Sequence, residues 1–282
     1  MSARLPLARL RNALFGNALS SVATCVLLLL LVASLGASLL PVGDPNQIGY
    51  GPRLSPPQWL IPFGTDQLGR PILARVLEGI RITFLLSTVS VVIAGILGAL
   101  AGMTATYFHQ WTDEFAGRIA DIMFSFPPIL LGMLVVAVVG PGVTSAMMVI
   151  ALITFPTMLR VVRAATMSIV EREFILVAEV SGLPFFDRVF THILRNVAGT
   201  IVVQAVYSIS LGMLVESSLS FLGLGVQPPV ASLGSMLRDG ATYLEIAPWM
   251  SLAPGLALAL SIMSINIIGD AMRTYVDPAH RF

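Results

Sequence analysis

The sequence predicts an all-α integral membrane protein with six membrane-spanning helices and a hinged loop on the cytoplasmic side. Three observations carry that expectation. Of the 282 residues, 56% are hydrophobic and only 11% are charged, against about 25% charged in an ordinary soluble domain. Six apolar runs are each long enough to span, at roughly 18–40, 82–106, 118–139, 143–163, 197–221 and 249–270. The basic residues then sort by side when the chain is threaded through those runs.

The first run follows a short basic head of Arg4, Arg9 and Arg11. A signal peptide starts this way, but its apolar region is only ~7–15 residues long. Ala18 to Leu40 is longer, so a retained helix is expected. With the N-terminus cytoplasmic, Arg4, Arg9, Arg11, Arg118, Arg160, Arg163, Arg172, Arg188, Arg195, Arg273 and Arg281 fall inside, and Arg53, Arg70, Arg75, Arg81 and Arg238 outside. This is the sense of the positive-inside rule, and six spans return the C-terminus to the cytoplasm. Cys25 is the single cysteine, which excludes a disulfide framework and a cysteine metal site.

The outer loop, about 41–80, is rich in turn residues and ends in FGTDQLGR at 63–70. It is expected to be an ordered cap, with Trp59, Leu60, Ile61 and Phe63 packed on the helix ends. Gly98 and Gly102 in the second span fit a small-xxx-small helix contact. Gly140-Pro141-Gly142 is a tight turn between spans three and four. The second outer loop, 222–248, contains Tyr243 and leads into Trp249. It is expected to re-enter or lie along the interface, where Trp and Tyr are favoured.

The interval 167–196 is too charged to cross and too regular for a slack loop. Ser168 with Glu171 suggests a capping box. A helix to Ser181 would stop at Gly182, and Pro184 would open a second helix. In that helix Phe185, Val189 and Ile193, with Phe186, Phe190 and Leu194, form an apolar stripe at i, i+4. Eleven residues make roughly 16 Å, about half the hydrocarbon thickness, so the helix lies flat. Pattern alone leaves two surfaces open for it, lipid or a soluble partner.

Several segments resemble a known family, the C-type permease subunits of dipeptide/oligopeptide/nickel ATP-binding-cassette importers. They are FGTDQLGR at 63–70, RVLEGIRITF at 75–84, RIADIMFSFPPILL at 118–131, VVGPG at 138–142, ESSLSFLGLGVQPP at 216–229 and IIGDAMRTYVDPAHR at 267–281. The resemblance covers about 60–282. It implies the type I importer permease fold, with residues 1–80 as an N-terminal segment, first span and outer loop, and 81–282 as a five-helix permease core. It also implies a coupling (EAA-like) loop at 167–196. Gly182 and Ala178 match that loop's glycine and second alanine. Leu176 and Val177 stand in its glutamate and first-alanine places, and Arg195 stands where the family has proline. By this resemblance Glu173, Val177, Ala178, Gly182, Leu183, Phe186 and His192 are the ATPase-coupling residues.

The implied partners are a second (B-type) permease, one or two ATPase subunits, an extracytoplasmic binding protein and the bilayer, with no nucleic acid. The chain would be a non-catalytic subunit in the cell's inner membrane. ATP and Mg would act only through the ATPases, and the solute would be a short peptide or, as an alternative, nickel or another small solute. The chain has no lysine, hence no Walker lysine.

Ionisable and amide groups in the spans are the candidates for a translocation path: Asp121, Glu216, Asn266 and Asp270. The three acids lie near the ends of their spans, where hydration is expected. Arg118 is one turn from Asp121 and is expected to pair with it. Glu78 is expected to pair with Arg75 and Arg81, and Asn266 to donate between helices. His109, His192 and His280 have no ligand spacing, so no metal site is expected. A self-sufficient secondary transporter and a docking scaffold are the other classes considered; no repeated halves support the former.

Overall fold

The computed structural model describes residue 11 and residues 14–108 and 111–276. Arg4, Arg9, Arg281, His109 and His280 lie outside these residues, as do positions 277–281 of the C-terminal motif. The first apolar run forms α1 (Ala18–Leu35), which closes at Gly36, where the chain turns out of the helix. Mean hydropathy in α1 is 2.4, so lipid is its natural solvent and its outer face is apolar throughout.

Helix α2 (Ile72–Tyr107) begins ten residues before the expected start at 82 and runs unbroken through residues 80–81. Arg75, Glu78 and Arg81 interrupt the apolar run at that point. Arg75 is in fact buried and satisfied from the loop above. Its guanidinium donates to the Pro45 carbonyl at 3.0 Å and lies 3.7 Å from Asp66. The helix therefore continues under the cap. At 1.5 Å per residue it is roughly 54 Å long, well beyond the ~30 Å hydrocarbon core.

The third expected span is broken. Helices α3 (Trp111–Ser125) and α4 (Pro128–Val139) meet at 88°. Pro127 takes an extended ψ of 133° and Pro128 opens α4. Neither proline has an N–H to continue a helix, and each pushes its predecessor out of the helical region. The pair is either one broken span or a re-entrant element; α3 lies beside the C-terminal half of the helix that follows and α4 beside its N-terminal half.

Helix α5 (Val143–Val170) runs past its expected end at 163. Its arginines meet acids on α3. Arg163 makes two bonds to Asp113, of 2.5 and 2.6 Å, and Arg160 lies 2.5 Å from Asp121. Arg118 consequently does not pair with Asp121; it pairs with Glu114, one turn earlier on its own helix. The capping box at Ser168 does not form. Ser168 donates back to Ala165 inside the helix, and Glu171 is the C-terminal cap residue.

Helices α2 and α5 cross closely. A Cβ on Gly98 would lie 2.7 Å from the Phe155 carbonyl oxygen, and one on Gly102 2.8 Å from that of Leu159. Without water to drive helices together, this approach is what permits dense van der Waals packing. Short α6 (Glu173–Val180) leads to α7 (Phe185–Phe221), then α8 (Leu233–Ala241) and α9 (Trp249–Val276). Ser232 caps α8, accepting from the Ser235 N–H. Leu233 and Met236 tuck α8 into a core with Ile72, Val76, Ile80 and Met250. The second outer loop thus folds back on the bundle through a helix.

The 41–71 cap is ordered, but not by Trp59 and Leu60. Trp59 is 98% exposed and Leu60 85%. The cap interior is polar instead. Asp66 accepts from the Leu68 and Arg70 N–H groups at 2.8 and 2.9 Å and from the Arg70 guanidinium at 2.6 Å. Thr65 bonds Ser55 and Pro52. Trp249 ties α9 to this cluster by donating to the Thr65 carbonyl at 3.3 Å. A turn closed between Gln58 and Ile61 throws Trp59 and Leu60 outward.

Candidate functional site: the hinged loop and the polar groups of the bundle

The hinge at 171–193 is built as the sequence suggests at its centre and differently at its ends. Glu173 opens α6, where a carboxylate suits the positive end of the helix dipole. Gly182 takes φ +74°, a conformation that costs an L side chain roughly 1–2 kcal/mol. The Leu183 N–H then donates to the Ala178 carbonyl at 3.2 Å, the six-to-one bond of a Schellman ending. Pro184 caps the next helix, which is not an isolated eleven-residue segment. It is the start of α7, continuous through one π-helical turn, Arg188–Ile193, into the fifth span. The extra residue in that turn rotates the face that follows it.

The expected single stripe is split. Val189 and Ile193, with Ile175 and Ala178 of the first arm, are buried. Ile175, Val189 and Ile193 join Met103, Met158, Val162 and Ile169 in one core. Phe185 stacks at 4.8 Å on Phe108 and meets Tyr107 edge-on at 4.9 Å, at the end of α2. Arg188 lies over the Tyr107 ring at 5.1 Å. Those contacts anchor the hinge to α2 and α5.

The other row faces out. Val180 is 89% exposed, Phe186 69% and Val177 64%, with Leu183, Phe174 and Phe190 also exposed. Phe186 and Phe190 stack, their rings 6.5 Å apart and 11° from parallel. Of the coupling residues expected from the sequence, Glu173, Val177, Leu183 and Phe186 lie on this face. Ala178 does not; it is buried as an anchor. His192 is half-buried, its ring 6.4 Å from that of Phe174. A Cβ on Gly182 would meet nothing within 4 Å, so its role is conformational. The side chains of Leu176 and Glu179 lie outside what the structure describes.

The path candidates do not converge on one site. Asp121 is exposed beside Arg160 in the last turns of α3, near the break before α4. Asp270 accepts from the Tyr207 hydroxyl at 2.5 Å. Asn266 links helices as expected, but as the acceptor: the Ser210 hydroxyl donates to it at 2.7 Å. Glu216 is 0% exposed, which corrects the expectation of hydration. It sits in a cage of hydroxyls, accepting from Thr83 at 2.8 Å and Ser220 at 2.7 Å. Ser220 in turn accepts from the Val226 N–H, and Thr83 from the Leu233 N–H that opens α8. The carboxyl group accepts from a ring of hydroxyls, and the ring ties α2, α7 and α8 together. Serine spacing around an acid was the available signal for this cage; the partner on α2, 133 residues away, left no local trace.

Glu78 is not paired as expected. One of its carboxylate oxygens is buried without a hydrogen bond, and Arg75 is drawn to Asp66 and Pro45 instead. Among the described residues, no three His, Cys, Asp or Glu side chains gather as a metal site.

The described residues form a multi-helix bundle that carries, at one end, an exposed apolar row on an anchored hinge. Residues 92–282 match the model of the binding-protein-dependent transport system inner membrane component family. The chain is 37% identical over 275 residues to a Brucella suis biovar 1 protein that carries the name of a peptide permease, covering 97% of this chain and 91% of that one. It is 35% identical to the di/tripeptide transport system permease protein of Pseudomonas aeruginosa, with 89% of this chain and 85% of that one covered. It is also 35% identical to a glutathione transport system permease protein of Pectobacterium atrosepticum, over 90% and 84% of the two chains. The chain belongs to the binding-protein-dependent transport system inner membrane component family. It is a permease component of an ABC importer, and its fold is the helical permease fold of that class.

Proposed function

We propose that this chain pairs with a second permease to form a translocation path for short peptides, and that it transmits ATP-driven motion through the hinge at 173–190. The observation that carries this reading is the exposed row Val177, Val180, Leu183, Phe186 and Phe190 on a segment whose opposite row is locked into the bundle. A face of this kind is too apolar to be left in water and too firmly held to be slack. It suits a groove on a soluble ATPase, which would carry ATP and Mg and perform the hydrolysis. The arginine asymmetry supports placing this end, and both termini, in the cytoplasm. A binding protein would deliver solute to the opposite, cap-bearing face.

The names of the relatives put short peptides, including di- and tripeptides and glutathione, first among solutes. The test is association and uptake. With the importer expressed whole, Val177→Asp with Phe186→Asp is expected to leave the chain in the membrane but abolish co-purification of the ATPase subunits and uptake of a radiolabelled dipeptide. Retained ATPase association in that double variant would remove the docking role from this face.

A further inference from the structure

A polar stripe runs along one face of α7. Asn196, Thr200, Gln204 and Tyr207 succeed one another at steps of four, four and three residues, so they share a helix face. All four line a cavity of about 550 Å³ between the hinge-proximal parts of α5, α7 and α9, and Arg172 and Arg273 complete its polar wall. Polar side chains on a spanning helix are costly against lipid, and they face the bundle interior or water. Val202, between Thr200 and Gln204, points elsewhere and is an exposed apolar residue. Among the described residues neither Arg172 nor Arg273 has an acid within ion-pair distance. Asp270, one turn before Arg273, accepts from the Tyr207 hydroxyl and is not itself among the lining residues. Two arginines and no acid are among the described residues lining the cavity, beside the neutral amides and hydroxyls of α7, so the lining is net positive.

We propose that this cavity is the chain's share of a water-filled vestibule on the hinge side, and that it accepts the carboxylate of the transported solute. Arg172 and Arg273 draw the anion; Thr200 and Gln204 offer neutral hydrogen bonds. A site on a transport path must attract its solute without retaining it, and two arginines set among neutral hydrogen-bonding groups meet that need. The inference rests on the importer reading above and adds the solute's charge class and the residues that meet it.

The lone cysteine makes the test direct. In a Cys25→Ser background, single cysteines replace Thr200, Gln204 or, as a lipid-facing control, Val202. Inside-out vesicles carrying the whole importer are treated with two thiol reagents, sulfonatoethyl and trimethylammonioethyl methanethiosulfonate. Modification of this chain is read by mass, and each rate is normalised to that of a free thiol. Cysteines at 200 and 204 are expected to react at least about 10-fold faster than at 202, and to favour the anionic reagent by a factor toward the low end of the ~10–10³ range for focused clefts. Arg172→Gln with Arg273→Gln is expected to erase that preference while leaving the neutral accessibility of the cysteines intact.

Equal rates at 204 and 202 would mean that lipid or a neighbouring subunit fills the cavity, and would overturn the proposal. So would a cationic preference, or an anionic one indifferent to both arginines. The measurement needs neither solute nor ATP. Its failure therefore leaves the importer reading standing, and loss of ATPase docking would leave its result intact.

Discussion

The Thr83 hydroxyl donates to the Glu216 carboxylate at 2.8 Å in a site with no solvent exposure for either residue. This bond, with that from Ser220, holds the N-terminal part of α2 and the C-terminal part of α7 to the start of α8. Glu216→Ala is expected to strand the hydroxyls and to leave a void. The cost is on the order of 3 kcal/mol, since each unsatisfied buried group costs about 1–3 kcal/mol. Glu216→Gln keeps the volume and one acceptor and is expected to cost less. Thermal melting of the detergent-solubilised importer checks the order wild type, Gln, Ala. An alanine variant that melts like wild type would show that the cage does not hold the outer segment.

Gly98 and Gly95 give contrasting outcomes at the α2–α5 crossing. A methyl group on Gly98 meets a backbone oxygen at 2.7 Å, whereas one on Gly95 meets only the Met158 terminal methyl at 3.3 Å. A flexible methionine end yields; a helix backbone does not. Gly98→Ala is expected to destabilise by about 1–3 kcal/mol through overpacking, and Gly95→Ala to be close to neutral. Similar melting temperatures for the two variants would contradict this account of the crossing.

The two ion pairs between α3 and α5 differ in burial. Arg163 and Asp113 are largely covered and doubly bonded, while Arg160 and Asp121 are both more than half exposed. Exposed pairs contribute about 0–1 kcal/mol, and bidentate, partly buried ones more. Asp113→Asn is therefore expected to weaken α3 docking measurably, seen as a lower melting temperature of the detergent-solubilised importer. Asp121→Asn is expected to leave it unchanged.

Gly182 tests the hinge itself. Its φ of +74° with open space around it means that conformation, not size, selects glycine. Gly182→Val is expected to uncouple ATP hydrolysis from uptake in reconstituted vesicles without preventing membrane insertion. Gly182→Asn, which tolerates the left-handed region, is expected to restore most coupling. Equal transport by wild type and the valine variant would separate the hinge from coupling.

What could be read without coordinates were the properties set by local chemistry. Apolar run length marks membrane passage because lipid cannot satisfy exposed backbone groups. Gly182 and Pro184 mark the hinge because backbone preferences act within a few residues. Gly98 and Gly102 announced a close contact, though not with which helix. The same local logic, applied to Pro127 and Pro128, would have shown the break that run length concealed.

Tertiary structure alone decided the remainder. Arg75 reads as the end of a span until Asp66 and Pro45 are seen to satisfy it. Arg118 and Glu78 lose their expected neighbours because partners elsewhere are better placed. The apolar stripe divides because Phe185, Val189 and Ile193 pack against α2 and α5, while Phe186 and Phe190 stay exposed. Glu216 is dry because α2 and α8 close over it. In each case the deciding group is distant along the chain, and only folding sets which polar groups meet and which side chains keep water.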